Sequence, residues 1–338
     1  MVLSDDMDVK KTLRDWMLPS AMLTGASIYL IYRFLPALHF AGPFLGKTAG
    51  ILQPVLIFLM LFLTFCRIEP SELKPHRWHW WLLAIQGGLF AVLGLSAYAF
   101  MHLFPEGDTG WLVLVESAML CFICPTATAA AVVTRKLGGD VAGITTYTIL
   151  INILTAFIVP LVVPMIRPVE AMSFWLAFSM IIAKIFPLLI MPCLLAWMIR
   201  YMAPRLHRKL LAYPDLPFYL WSVGLALAVA VTTRSIANSS MPVLTLVLIG
   251  LISLICCIIQ FTLGRFVGSR YRPRRSIVSA AEDRGKRIRK VTAGQSLGQK
   301  NTIFAIWMGY TFMTPETSIV GGLYSIWHNL YNSWQLYK

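Results

Sequence analysis

Stretches of about twenty apolar residues recur along almost the whole chain, and this recurrence most limits what the chain can fold into. A helix needs about 20 predominantly apolar residues to cross the hydrocarbon core of a bilayer. Hydrophobic residues make up 58% of the 338 residues and charged residues only 13%. Soluble domains average roughly 45–50% and about 25%. A soluble fold of this length could not bury so much apolar surface, so the sequence predicts an all-α polytopic membrane protein.

Ten of these stretches are predicted to be transmembrane helices, separated mostly by short polar loops. The start of the chain is polar and the first apolar stretch is long enough to span, so no cleavable signal peptide is expected. The predicted spans are 17–36, 48–66, 79–102, 111–133, 141–165, 172–199, 216–237, 241–264, 291–312 and 315–336.

The basic residues gather in alternate loops. With the amino terminus inside and ten alternating spans, 23 of the 29 Lys and Arg residues lie inside, four lie outside and two fall within spans. The positive-inside rule then places both termini in the cytoplasm, and we expect a bacterial-type inner membrane. The longest loop, Arg265–Lys290, is expected to meet anionic lipid headgroups. No nucleic-acid partner is expected despite the net charge of +14.

The spans divide into two halves of five, at 1–166 and 167–338. An odd number in each half forces the halves to insert with opposite orientation, the inverted-repeat plan of many secondary transporters. That plan predicts discontinuous helices at matching positions. Pro125 lies in the middle of span 4, and the first half of span 9, from Gly294 to Asn301, is too polar to face lipid. Unwound backbone at membrane depth is buried in protein or lines a cavity, so these two segments form the predicted binding site.

These segments resemble the bile acid:sodium symporter family in its ten-helix bacterial form, and the resemblance covers nearly the whole chain in span order. The family pattern Cys-Pro-Gly-Gly-Thr-Ala-Ser-Asn of span 4 is similar to Cys124–Ala131. The family pattern Glu-x-Gly-x-Gln-Asn of span 9 is similar to Ser296–Asn301. Trp327–Asn329 matches a Trp-His-Asn run in span 10, and Gln86 matches a glutamine of span 3.

The resemblance implies a core domain of spans 3–5 and 8–10, in which spans 4 and 9 cross, beside a panel of spans 1, 2, 6 and 7. It implies a transporter that moves a small organic anion by alternating access, with no cofactor. Sequence motifs of hydrolases, metalloproteases and P-loop enzymes are absent, so we expect no enzymatic activity. Thr128, Asn301 and Asn329 match positions that hold substrate polar groups, and His328 lies beside them. Their alternative role is to tie the broken helices together by hydrogen bonds.

The resemblance also implies two sodium ions at the crossing, but their ligands are altered here. The Ser-Asn pair of span 4 is replaced by Ala130 and Ala131, and the acid of span 9 by Ser296. Hard cations are held by about six oxygen ligands, and alanine side chains supply none. At the second ion, Gln86 is kept while Lys300 replaces the glutamine of span 9. No metal site is therefore predicted.

A lysine at membrane depth costs about 2.5–3.5 kcal/mol on insertion scales, so it marks a function or a partner. We expect the Lys300 ammonium to occupy the second sodium position, held by Gln86 and by carbonyl groups of the broken helix. Transport would then be independent of sodium, either proton-coupled or facilitative. Alternatively, Lys300 extends to the cytoplasmic interface. A register shifted by one residue would instead place Gln295 and Gln299 at the acid and glutamine positions.

Three other residues are candidates for coupling. Glu116 is either a proton-coupling group or a lysine's partner, or else an acid that faces the outer water. Thr145 and Thr148 share one helical face of span 5, where they could line the crossing or bond between helices.

The alternative functions are a sodium-coupled symporter with relocated ligands and a membrane ligand sensor that does not transport. The predicted partners are a small organic anion, membrane lipid, and a proton or sodium ion for coupling.

Overall fold

The computed structural model describes residues 2–104, 109–168, 172–213, 215–271 and 279–337, and this part of the chain is nearly all helical. Besides the α-helices it contains two short 3₁₀ helices and one isolated β-bridge. The helices are α1 (Val2–Phe34), α2 (Gly42–Cys66), α3 (Arg77–Leu103), α4 (Thr109–Ile123), α5 (Ala130–Lys136), α6 (Val141–Ile166), α7 (Phe174–Leu189), α8 (Met191–Met202), α9 (Pro204–Leu211), α10 (Leu216–Ala237), α11 (Val243–Arg270), α12 (Ser279–Gly298), α13 (Thr302–Phe312) and α14 (Pro315–Tyr337).

Within the described residues, six helical segments are long and apolar enough to cross a membrane, and two shorter apolar helices accompany them. Helices α1 and α14 cover the first and tenth predicted spans but fall outside this set, because polar residues interrupt their apolar ones. The chain is therefore an integral membrane protein with many helices. The six segments are Pro36–Cys66, Arg77–Leu103, Val141–Ile166, Phe174–Met202, Leu216–Ala237 and Val243–Arg270, and the shorter ones are Gly110–Ile123 and Thr302–Phe312.

Two predicted elements differ from the structure. The sixth predicted span is two helices, α7 and α8, that meet at Ile190, because Pro192 has no amide hydrogen with which to continue the helical ladder. The predicted loop Arg265–Lys290 is largely helical, since α11 continues to Arg270 and α12 begins at Ser279. Residues 272–278 of this basic segment lie outside the described residues, as do Lys338 and the side chains of the basic residues near the amino terminus.

Helices that are distant in sequence pack side by side. Helix α1 packs against α10, and α2 packs against α8 and α10. Helix α3 packs against α4 and α6, while α11 packs against α4, α12 and α14. A continuous cluster of buried apolar side chains joins most of these helices. The fourth and ninth apolar segments are both interrupted, and their breaks lie inside this packing.

Helices α11 and α12 approach each other closely at Gly264. A Cβ atom built on Gly264 would lie 2.4 Å from the carbonyl oxygen of Ala293 on α12, a separation that real Cβ atoms do not show. Only the hydrogen of glycine fits this contact. Because α12 leads directly into the second break, the contact helps to set where that break lies.

We expect Gly264→Ala to lower the free energy of unfolding by about 1–3 kcal/mol, because the added methyl group must displace a backbone. Gly88→Ala is the matched control, since no atom lies within 4 Å of a Cβ built on that glycine of α3. Alanine is the better helix former by about 0.5–1 kcal/mol, so the control should melt at the same temperature or slightly higher. Thermal unfolding in detergent measures both variants, and equal melting temperatures would contradict the close packing.

Candidate functional site at the crossing of two broken helices

The first break separates α4, which ends at Ile123, from α5, which begins at Ala130. Pro125 lies inside this break, and a proline cannot donate the hydrogen bond that would continue the ladder. The last four carbonyl groups of any α-helix have no partner within the helix. The break therefore leaves the carbonyl groups at the end of α4 in need of donors from elsewhere.

The second break separates α12, which ends at Gly298, from α13, which begins at Thr302. It contains no proline. Asn301 begins the new helix, because its Oδ1 accepts a hydrogen bond from the Phe304 amide at 3.2 Å. Asparagine is among the preferred residues for this capping position.

The two breaks meet and pair with each other as a short antiparallel bridge. The Asn301 amide donates to the Pro125 carbonyl at 2.8 Å, and the Ala127 amide donates to the Gln299 carbonyl at 2.9 Å. Backbone groups that lose their helical partners are thus satisfied by the opposite break. This is the condition under which unwound backbone is tolerated at membrane depth.

The carboxyl-terminal end of α4 is capped by side chains from other parts of the chain. The carbonyl groups of its last three residues and of Cys124, the next residue, each accept a hydrogen bond from a side-chain nitrogen or hydroxyl group. The donors come from α3, α6, α11 and the second break. The pairs are Gln260 to Cys121, Lys300 to Phe122, Thr155 to Ile123 and Gln86 to Cys124, at 3.0 Å each.

Lys300 provides the charge in this cap. Its side chain is only 2% exposed, so it does not extend to the protein surface. Among the described residues, no carboxylate lies within ion-pair distance of its amine. The end of a helix carries the equivalent of about half a negative charge, which stabilises a cation placed there. Lys300 also lines a cavity of about 10 Å³ whose accessible lining is apolar.

Gln86 lies at the crossing, but contrary to expectation its hydrogen bonds in the described structure go to groups other than the Lys300 amine. Its Nε2 donates to the carbonyl groups of Cys124 and Ile123 at 3.0 and 3.4 Å. Its Oε1 accepts a hydrogen bond from the Tyr147 hydroxyl at 2.7 Å. Both ends of the amide are therefore used to hold the first break in place, beside the lysine.

Gln295, Ser296 and Gln299 are buried on α12 and in the second break. The Ser296 carbonyl accepts a hydrogen bond from Thr126 Oγ1 at 2.7 Å. The Ser296 hydroxyl and both polar atoms of the Gln299 side chain have no hydrogen-bond partner in the described part of the chain. Where the resemblance places the Ser-Asn pair, Ala130 and Ala131 begin helix α5 without a side-chain oxygen.

Of the four residues predicted to bind substrate, Thr128 and Asn301 lie in the two breaks, and His328 and Asn329 lie on α14. Thr128 is half-buried in the first break, and Asn329 is half-buried on α14, where its Nδ2 donates to Ser325 Oγ at 3.4 Å. Asn301 uses its side chain to cap α13, a bond within one helix, and only its backbone amide reaches the other break. His328 is buried one turn from Tyr324, with ring centroids 5.7 Å apart.

Thr145 and Thr148 use their hydroxyl groups within α6. Thr145 donates to the Val141 carbonyl at 2.8 Å and Thr148 to the Ile144 carbonyl at 2.9 Å. These hydroxyl groups therefore form no bond between helices, which corrects that expectation. The reason is local, since a threonine in a helix can reach the carbonyl four residues earlier.

Glu116 is fully buried and is neither exposed to outer water nor paired with a lysine, so both expectations were wrong. Arg167 donates to it from Nε at 2.5 Å and from Nη2 at 3.1 Å. Thr317 Oγ1 adds a hydrogen bond at 2.7 Å. Arg167 follows the end of α6 and Thr317 lies in the first turn of α14. The ion pair thus joins three helices.

Sequence reasoning missed three residues of the crossing: Tyr147, Thr155 and Gln260. A polar residue within the strongly apolar α11 was a usable signal for Gln260. A charged residue in span 9 gave the same kind of signal for Lys300. Nothing in the local sequence distinguishes Tyr147 or Thr155, because both are also common in buried helix contacts.

The apolar helices and their two interrupted segments define a polytopic membrane protein built around a central helix crossing. Residues 22–324 match the SBF-like CPA transporter family (DUF4137). The chain belongs to this family and is a membrane transporter, which confirms the resemblance to bile acid:sodium symporters at the family level. A comparison with curated proteins found no match.

We expect Arg167→Met to destabilise the protein more than Glu116→Gln does. The first change leaves a carboxylate that is 0% exposed without its cation, whereas the second leaves a guanidinium side chain that is 31% exposed. Removing one partner of a buried ion pair costs about 3–5 kcal/mol, and solvent contact reduces that cost. Thermal unfolding of both variants in the same detergent measures the order, and a reversed order would contradict this account of burial.

Proposed function

We propose that the protein is a secondary transporter of a small organic anion, and that the Lys300 ammonium takes the place of a coupling sodium ion. One observation carries this proposal: the Lys300 amine donates to the Phe122 carbonyl at the end of a helix broken in its apolar segment. In many secondary transporters the ends of discontinuous helices coordinate the coupling cation. Here a cation that belongs to the chain occupies such an end.

The oxygen supply at the crossing supports independence from sodium. A hard cation is held by about six oxygen ligands. The last three carbonyl groups of α4 and the carbonyl group of Cys124, which follows it, already accept hydrogen bonds from side chains. Ala130 and Ala131 offer no side-chain oxygen. A sodium ion at this place would have to displace both the ammonium and several of these donors.

The charge at the crossing supports an anionic substrate. The amino-terminal end of α13 points to the break, and helix amino termini favour negative charge. Lys300 adds a positive charge beside it, and in the described structure no acid pairs with this amine. Thr128 and Asn329 are half-buried and polar, so they are the residues we assign to contact with the substrate.

A tethered ammonium changes how transport can be coupled. A bound sodium ion enters and leaves with each cycle, whereas a lysine side chain cannot leave. Coupling therefore requires that Lys300 lose and regain its proton, or else transport is facilitative.

We assign ten spans in an inverted five-plus-five repeat to this transporter, with both termini in the cytoplasm and alternating access across a bacterial-type inner membrane. The breaks in the fourth and ninth apolar segments support the repeat, since they occupy matching positions in the two halves. Packing of α1 and α2 against α10 and α8 supports a panel of spans 1, 2, 6 and 7 beside the core of spans 3–5 and 8–10. The distribution of basic residues supports the orientation.

A second candidate is a sodium-coupled symporter in which the sodium ligands of span 9 are shifted by one residue relative to the family pattern. It is favoured by the buried oxygen atoms of Gln295, Ser296 and Gln299 that lack a partner among the described residues. These three side chains lie within about one turn of α12 and the second break. Sodium-dependent stabilisation of the wild-type protein would distinguish this candidate from the first.

A thermal-shift screen of organic acids, with and without sodium, tests the proposal. We expect small organic anions to raise the melting temperature of the wild type and sodium to leave it unchanged. In Lys300→Gln the affinity for the anion should fall about tenfold, which corresponds to about 1.4 kcal/mol of binding free energy. Lys290→Gln is the matched control, because it removes the same charge from an exposed position of α12.

Two outcomes would contradict the proposal. One is solute uptake by wild-type liposomes that rises steeply with sodium, which would favour the relocated ligands. The other is an anion-dependent shift that is the same in Lys300→Gln as in Lys290→Gln, which would remove Lys300 from the binding of the anion.

A further inference from the structure

A second group of buried polar residues lies between α12 and α14, next to the crossing. Two hydrogen bonds fix how these helices face each other. The Tyr324 hydroxyl donates to the Gly298 carbonyl at 2.7 Å, and Gln295 Nε2 donates to Asn332 Oδ1 at 3.0 Å. The lower residue number on one helix pairs with the higher number on the other, so the helices run antiparallel. His328 lies one turn from both Tyr324 and Asn332, on the same face of α14.

The residues of this group, which we call the polar seam, are Gln295, Gln299, His328, Asn332 and Gln335. Six of their side-chain atoms have no hydrogen-bond partner among the described residues. Buried polar atoms are almost always hydrogen-bonded, so these six atoms need partners other than this part of the protein. The atoms are Gln295 Oε1, Gln299 Oε1 and Nε2, His328 Nδ1, Asn332 Nδ2 and Gln335 Nε2.

Reassigning the amide atoms does not remove this deficit. The bond between Gln295 and Asn332 uses one nitrogen and one oxygen atom. If the nitrogen and oxygen positions of both amides were exchanged, one bond would still leave one nitrogen and one oxygen without a partner. The deficit therefore follows from the placement of the side chains.

The chemistry of the six atoms favours water over a cation. Three of them are amide nitrogens, which can only donate, and two are amide oxygens, which can only accept. A cation would face the three donors, whereas water both donates and accepts. A buried water makes about three hydrogen bonds, so six atoms correspond to at least about two waters.

The seam extends from a half-exposed end to the crossing. At one end Gln335 is half-buried and its Oε1 accepts a hydrogen bond from Arg265, which is also half-buried. At the other end the ring of Tyr324 contacts His328 edge to face. Tyr324 and Lys300 also line the same small cavity. One tyrosine thus separates the seam from the lysine.

We propose that the polar seam holds a file of water molecules that reaches from the Arg265–Gln335 end to Tyr324, between α12 and α14, which both pack against α11. In the orientation assigned above, this end faces the cytoplasm. The water file would let Lys300 exchange its proton with the cytoplasm while the substrate site stays closed. That role rests on the proposed function, whereas the presence of water in the seam does not.

Radiolytic hydroxyl-radical footprinting, read by mass spectrometry, tests for this water, because radicals formed from bound water oxidise the side chains beside it. His328 and His79 are a matched pair within one protein. Both are buried, but both ring nitrogens of His79 are hydrogen-bonded, to the His76 amide at 2.7 Å and to the Gly143 carbonyl at 2.9 Å. We expect His328 to be oxidised several-fold faster than His79 in the purified wild type.

Asn332→Leu should bring the oxidation rate of His328 down to that of His79, because it replaces the middle of the file with an apolar group of similar size. Gln335→Leu, at the half-buried end, should do the same and serves if Asn332→Leu does not fold. Equal rates for the two histidines in the wild type would overturn the proposal. So would a fast His328 that neither variant slows, since water would then reach it by another way. The measurement needs neither substrate nor sodium, so its failure is distinct from a failure of the transport proposal.

Discussion

The carbonyl groups at the end of α4 are the constraint on which the centre of this protein depends. Ending a helix in a medium without water leaves backbone oxygens that each cost several kcal/mol if they find no donor. The chain meets this need with Gln86, Thr155, Gln260 and Lys300, which come from α3, α6, α11 and the second break. Those four elements must therefore keep their positions around α4. The crossing is held by this cap as well as by the pairing of the two breaks.

Two charged side chains are buried in the described part of the chain, and they are held in different ways. Glu116 has a bidentate arginine and a threonine hydroxyl, so its charge is neutralised within a bond network that joins three helices. Lys300 has one carbonyl group and the negative end of a helix. A charge held by a full ion pair is suited to a structural role. A charge held by one carbonyl group at a helix end can change its partner or its proton, which is what a transport cycle requires.

The polar seam extends the same chemistry away from the crossing. The cap of α4 supplies donors to backbone oxygens, whereas the seam has donors and acceptors in excess of what the surrounding protein uses. Tyr324 connects the two, since its hydroxyl accepts a hydrogen bond from Gln260 of the cap and its ring contacts His328 of the seam. For a transporter of this family, the structure thus places a buried cation and a buried polar file next to each other.

Sequence alone determined that this chain is a helical membrane protein, that the fourth and ninth apolar segments are interrupted, and that a lysine lies in the second interruption. These follow from hydrophobicity and from local effects such as the missing amide hydrogen of Pro125, which act within a few residues. Only the tertiary structure decided the partners. Glu116 pairs with Arg167, and Lys300 donates to the Phe122 carbonyl. Gln86 donates to backbone carbonyl groups in place of its expected contact with the Lys300 amine. The first two partners lie 51 and 178 positions away in sequence. Such contacts depend on which helix faces pack together, and hydrophobic pattern does not specify this because most faces of these helices are apolar.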